Sequence, residues 1–312
     1  MLRELQNKFR GIKSVYTLLI ILLILAPLVM RDPYILHVMV MTLAYITITV
    51  SWSVLSESGQ FSLGHAAFFG VGAYTSALLY RNFLINPFLG MLFGALAACV
   101  FALVVGIICL RMHAFYLAIA TLALAETIKV VVIMLPDITG GAVGIGISPL
   151  FGGDRVLNYY IALAITVAAV LTILGVRKSK LYLAFTSIRC DEYAASSVGI
   201  NPLKYKLYAF VLSAVFTGFF GGFFSFYIGF IDPHAVFNIE ISIAPQVMTI
   251  IGGLYTFSGP IIGAVIITLL DEFLRIKMPS GHLIVYGVIL ILCVIFIPRG
   301  IIGAIRGRGR LA

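Results

Sequence analysis

The chain has 312 residues, a formal net charge of +9 and a mean hydropathy of +1.12, with 62% of residues hydrophobic and 11% charged. A soluble globular domain carries about 25% charged residues to cover its water-facing surface, so the composition excludes a soluble protein and makes lipid the solvent. A nucleic-acid surface would cluster basic residues among stacking aromatics on one soluble face. Here the basic residues stand at the ends of apolar runs, which leaves nucleic acid without a role.

Arg3, Lys8, Arg10 and Lys13 precede an apolar run from Tyr16 to Met30. This start imitates a secretory signal, but the run closes Ala26-Pro27-Leu28-Val29-Met30-Arg31 with no small-x-small cleavage site. An uncleaved first helix is expected. An α-helix needs ~20 apolar residues to cross ~30 Å of hydrocarbon. Apolar runs at 16–30, 34–56, 64–80, 87–110, 114–135, 156–176, 206–230, 242–256, 259–274 and 282–298 then predict about ten spans. The expected fold class is an all-α polytopic membrane protein, a single transmembrane domain over residues 1–312. Several runs are short or broken by glycine. Lipid tolerates no unsatisfied backbone, so such helices belong inside protein.

With the N-terminus in the cytosol and the spans alternating, 15 of the 21 Lys and Arg residues fall on the cytosolic side. Arg31, Arg81, Arg155, Arg275 and Lys277 fall outside, and Lys129 lies within a span. The positive-inside rule asks for this bias, so an N-in/C-in topology is expected. The runs 34–135 and 206–298 would enter from opposite sides, which permits an inverted repeat. Against that, Phe61-Ser62-Leu63-Gly64 echoes Phe257-Ser258-Gly259 on the same side.

Gly90/Gly94, Gly218/Gly222 and Gly259/Gly263 are each four apart, giving flat stripes where helices can approach closely. Cys99, Cys109, Cys190 and Cys293 have neither a close pairing nor a zinc-like spacing, and read as reduced small hydrophobes.

Three places carry polar chemistry inside or beside the spans. The break Glu57-Ser58-Gly59-Gln60-Phe61-Ser62-Leu63-Gly64-His65 is polar for its surroundings. Unwound backbone or a helix N-terminus there can bind a carboxylate, making Ser58, Gly59, Gln60, Ser62, Gly64 and His65 pathway or gate candidates. A plain cytosolic turn, with Gln60 and His65 capping neighbouring helices, is the other reading. Glu126 and Lys129 lie three apart within a span. Ionised groups there pair or face a cavity, so they form an ion pair, line the pathway, or do both. Asp137, Asp154, Arg155, Asp232, His234, Glu240, Asp271, Glu272 and Arg275 give the outer side mixed charge. They are either solvated loop ends or a surface that steers a partner.

The informative soluble stretch is the cytosolic loop 177–205, where a short helix from Ser187 to Val198 is expected. Thr186 or Ser187 offers the cap, Asp191 and Glu192 suit the first turns, Gly199 suits C′, and Asn201-Pro202 stops continuation. Ala194, Ala195 and Val198 would give a small apolar face, with Arg189 and Glu192 beside it for polar contacts. A docking surface and an amphipathic linker lying on the membrane both fit.

Arg189, Glu192, Ala194, Ala195, Gly199 and Ile200 match the pattern A-x-R-x-x-E-x-A-A-x-x-x-G-I, which departs only at its first position, occupied by Ser187. In this the loop resembles the coupling segment of LivM-type permeases of branched-chain amino acid ABC importers. The resemblance continues through Ser58–Tyr74, Ala118–Glu126, Thr139–Gly144, Ile251–Leu254 and Ser258–Pro260, in that order.

The resemblance implies an ABC importer permease fold working by alternating access, in a prokaryotic inner membrane. It implies two ABC ATPase subunits that hold ATP and Mg, docked on Arg189, Glu192, Ala194, Ala195, Gly199 and Ile200. It also implies a second, LivH-like permease subunit and a periplasmic or lipid-anchored binding protein delivering Leu, Ile or Val. This chain has no G-x-x-x-x-G-K-[ST] loop, so it is expected to bind no cofactor and to catalyse nothing itself. The same fold could carry urea, short-chain amides or a sugar. An ion-coupled secondary transporter would need interior acids, and only Glu126 qualifies. A membrane enzyme would need a paired-carboxylate or nucleophile–base set near a span end, and Asp271-Glu272 is the acidic pair in question there.

Overall fold

A computed structural model of the chain describes residues 23–27, 30, 32–112, 114–278, 285, 287, 288, 291, 292 and 300–308. The predicted runs 16–30 and 282–298, the N-terminal basic cluster and Cys293 lie wholly or largely outside the described residues.

Asp32 opens the first long helix by accepting from the backbone N–H groups of Tyr34 and Ile35, with Pro33 at the first helical position, where a missing N–H does no harm. This helix, α1 (Pro33–Glu57), is followed by α2 (His65–Phe83), α3 (Pro87–Cys109) and α4 (Ala114–Ile133). A loop with a one-turn helix and two 3-10 turns leads to α5 (Arg155–Lys178), which Asp154 caps. Next come α6 (Lys180–Cys190), α7 (Glu192–Ser197), α8 (Pro202–Ile228), α9 (Ile239–Gly253), α10 (Ser258–Lys277) and α11 (Gly300–Arg308).

By length and composition, six stretches among the described residues can cross a membrane: α1, α3, α4, α5, α8 and Pro233–Gly253, the last being α9 with the turn before it. The chain is thus a multi-pass, all-α membrane protein. α2 and α10 have 19 and 20 residues, long enough to span, but carry more polar and charged side chains.

α8 is the axis of the packing. It lies against α2 and α3 most extensively and also against α1, while α1 packs on α5 and α10, and α9 on α10. Glycine makes the closest approaches possible. A Cβ at Gly218 would stand 2.3 Å from that of Ala98, and one at Gly72 would stand 2.1 Å from the Gly218 carbonyl oxygen. Between α9 and α10, a Cβ at Gly263 would meet the Met248 carbonyl at 1.8 Å. A Cβ at Gly94 would stand 2.6 Å from the Gly72 carbonyl oxygen, so all three predicted glycine stripes include a close backbone approach. At Gly90 a Cβ would find only ordinary contact, 3.4 Å from the Ser76 carbonyl.

The bundle has two distinct ends. At one, Glu57, closing α1, pairs with Arg177 in the last turn of α5. At the other, the Tyr34 hydroxyl at the start of α1 donates to Glu272 near the end of α10. There too β1 (Ile145–Gly146) pairs antiparallel with β2 (Phe230–Ile231). α1 and α8 start from opposite ends.

The loop at 177–205 differs from its expectation. It holds two helices, α6 and α7, which break at Asp191. Lys180–Phe185, for which no helix was expected, is helical, and Ser179 caps it by accepting from the Leu181 N–H. The cap of the second helix is Asp191 rather than Thr186 or Ser187, since its carboxylate accepts from Tyr193 and Ala194 at 2.8 and 2.9 Å.

Candidate functional site

The segment between α1 and α2 is the most polar buried stretch of the described chain. Ser58, Gln60, Ser62 and His65 are each at most 2% exposed. Burial obliges this backbone to find partners, and it does so through side chains from three helices. The Ser62 carbonyl accepts from Trp52 Nε1 on α1 and Gln246 Nε2 on α9, both at 3.0 Å. The Leu63 N–H donates to Thr121 Oγ1 of α4 at 3.0 Å, and the Ala66 N–H to Ser242 Oγ at 2.9 Å. Gln60 Nε2 donates to the Lys206 carbonyl on α8, and His65 Nε2 lies 2.7 Å from Ser213 Oγ. Gly59, at φ +77°, makes the turn.

Gln60 and His65 therefore tie the segment to α8 and do not cap neighbouring helices. Gly64 is the N-cap residue of α2 and has no side-chain cap bond. Gln60 Oε1 and His65 Nδ1 are buried without a hydrogen-bond partner among the described residues.

α6 presses on this segment from its exposed side. The Arg189 guanidinium lies over the Tyr255 ring, 4.0 Å from its centroid, and its backbone abuts Gly59, where a Cβ would stand 3.3 Å from Arg189 Cα. Arg177, paired with Glu57, also has the rings of Tyr182 and Phe257 at 5.7 Å each. Arg189 thus stacks within the chain, beside the segment between α1 and α2. A planar guanidinium stacks on an aromatic face more readily than it stays in water.

Of the other loop candidates, Ala195 is buried at 3% exposure while Ala194 is exposed. Glu192 reaches Lys206 Nζ at 2.5 Å. Gly199 turns at φ +87°, its N–H donating to the Ser196 carbonyl and that of Ile200 to Ala195. What faces outward from α7 is Tyr193 and Val198, 85% and 75% exposed. Tyr193 was missed by sequence reasoning, although its place one residue after Glu192 on a capped helix was a usable signal.

Glu126 and Lys129 are an ion pair on α4, apart from the buried segment, with the Glu126 side chain 44% exposed. α4 is also the least enclosed candidate span, 17% of its apolar stretch being buried against 72% for α1. Among the described residues no cluster of His, Cys, Asp and Glu is placed to hold a metal ion.

Residues 34–294 match the model of the family described as branched-chain amino acid transport system / permease component. The chain belongs to that permease family. The match spans the buried segment, α4 and the whole of α6–α7. Among curated proteins, the chain is 28% identical over 301 residues to the high-affinity branched-chain amino acid transport system permease protein LivM of Salmonella typhimurium (strain LT2). It is equally similar to LivM of Escherichia coli (strain K12), the match covering 87% of this chain and 70% of the relative in each case. No solved structure matches. The LivM-type resemblance carried by the motifs is the one these comparisons bear out, and such relatives are transport subunits rather than enzymes.

Proposed function

We propose that this chain is a transmembrane channel subunit of an ATP-driven, binding-protein-dependent importer for leucine, isoleucine and valine in a prokaryotic inner membrane. The observation that carries the reading is the family match over residues 34–294 together with what α6–α7 presents at one end of the bundle. There a short capped helix offers Tyr193 and Val198 to a partner while Arg189 and Glu192 anchor it from behind. The same end carries Arg111, Arg177, Lys178, Lys180, Arg189, Lys204 and Lys206, which marks it as cytosolic. ATP and Mg belong to ABC ATPase subunits docked there, since this chain lacks a phosphate-cradling loop.

The second permease subunit, LivH-like in this reading, covers α4. A half-exposed Glu126 in mid-span is expensive against lipid, and a neighbouring subunit or the pathway between two subunits removes that cost. The buried segment 58–65 then stands at the cytosolic mouth of the pathway as a gate. A periplasmic or lipid-anchored binding protein delivers the cargo at the far end, and alternating access follows ATP binding and hydrolysis.

The test is co-purification. The tagged chain, expressed in its native host and extracted in mild detergent, retains a P-loop ATPase, and Val198→Asp or Tyr193→Asp releases it. ATP hydrolysis rises when leucine-loaded binding protein is added. A chain that purifies alone and moves solute on an ion gradient contradicts the reading.

A further inference from the structure

Beside the apolar packing of the buried Phe185 and Ile188, polar contacts at Arg189, Lys206 and Arg177 connect α6–α7 to two loops of the bundle. Arg189 stacks on Tyr255, in the loop between α9 and α10, while its backbone touches Gly59 in the loop between α1 and α2. Lys206 reaches both ways, its ammonium holding Glu192 of α7 and its carbonyl accepting from Gln60. Arg177 lies between Tyr182 of α6 and Phe257, two residues on from Tyr255, and pairs with Glu57.

The Arg189 contact is unlike an ordinary structural ion pair. No carboxylate holds it among the described residues, and its Nη1 is buried without an acceptor. A guanidinium on a ring face can slide and rotate with little loss of attraction, whereas a forked carboxylate pair fixes one geometry. Tyr255 itself sits at φ +64°, a left-handed backbone that a bulky residue adopts only when its surroundings enforce it. The stack and the strained backbone are two independent signs that this ring is held in place for contact with Arg189.

We infer that Arg189 and Tyr255 form the joint through which movement of α6–α7 reaches the 58–64 segment and the α9–α10 pair, making Arg189 a positioning residue for transport. The inference rests on the reading of α6–α7 as the ATPase-facing segment. Pulling α7 outward moves Arg189 over the ring and withdraws its backbone from Gly59, releasing the segment that Trp52, Gln246 and Thr121 otherwise hold closed.

The experiment uses the full complex in proteoliposomes, with leucine uptake and ATP hydrolysis measured in the same preparation. Tyr255→Gly removes the ring at a backbone position glycine adopts freely, and Tyr255→Phe keeps the ring. Arg189→Ala and Arg189→Lys complete the set. Uptake per ATP hydrolysed should fall about tenfold in Tyr255→Gly and Arg189→Ala, stay near the unmodified value in Tyr255→Phe, and fall less in Arg189→Lys. ATPase co-purification should be unchanged in all four. An unchanged uptake-to-hydrolysis ratio in Tyr255→Gly overturns the inference. So does loss of the ATPase from Arg189→Ala alone, which would make Arg189 a direct docking contact. If the unmodified chain retains no ATPase, the functional reading itself fails, and the unmodified arm reports that separately.

Discussion

Glu57 and Arg177 meet as a buried ion pair where α1 and α5 end, the Glu57 side chain 1% exposed and that of Arg177 15%. Removing one partner of such a pair leaves a charge in a low-dielectric site, at about 3–5 kcal/mol. Glu57→Ala should therefore lower the thermal midpoint of the purified protein sharply. Glu57→Leu combined with Arg177→Met should recover most of it, because a well-packed apolar replacement of a buried pair is close to neutral. Equal losses in the single and double variants would show that the pair is not the source.

Gly218 and Gly175 offer a contrast within one chain. A methyl at Gly218 collides with Ala98, whereas at Gly175, on α5, it meets nothing within 4 Å. Gly218→Ala should destabilise by about 1–3 kcal/mol through overpacking. Gly175→Ala should be neutral or gain up to about 1 kcal/mol of helix propensity. Melting curves in one detergent decide, and a reversed order would mean that the helices do not approach at Gly218.

Asp191→Ala removes the cap of α7 at a typical loss of about 1 kcal/mol. Amide exchange at residues 193–197 should accelerate and ATPase affinity should weaken, while Asp191→Ser, which keeps an acceptor, should restore both. Unchanged exchange would place the stability of α7 elsewhere.

Helix positions were legible to within a few residues, because a hydrophobic run of span length has little choice of structure. The run 87–110 became Pro87–Cys109, and 156–176 became Arg155–Lys178. The glycine pairs at 218/222 and 259/263 were readable from spacing alone. The loop was less readable. Leu181-Tyr182-Leu183-Ala184-Phe185 is an apolar run too short to set a helical period, and its helix shows only once Ser179 is recognised as a cap. The stacking of Arg189 depends on Tyr255, far along the chain, and no local pattern reports such a partner. Likewise the burial of Ser58–His65 comes from Trp52, Thr121, Ser242 and Gln246 arriving from three other helices. The ion pair at Glu126 and Lys129 was visible from their spacing, but its exposed setting on a sparsely packed helix was not.

That setting gives a fourth expectation. In a background without Cys99, Cys109, Cys190 and Cys293, a cysteine replacing Glu126 should react with a hydrophilic maleimide in the assembled transporter. One replacing Ile108, 63% exposed on α3, should not, since lipid excludes the reagent. Protection of both positions would remove Glu126 from a water-filled pathway.

The most direct test of ATP-driven import is uptake of radiolabelled leucine by proteoliposomes holding this chain, its second permease subunit and the ATPases, with binding protein outside. Uptake should require both ATP within the vesicles and the binding protein, and should persist when ionophores abolish every ion gradient. Uptake that ignores ATP and collapses with the ionophores would contradict the account and turn attention to Glu126.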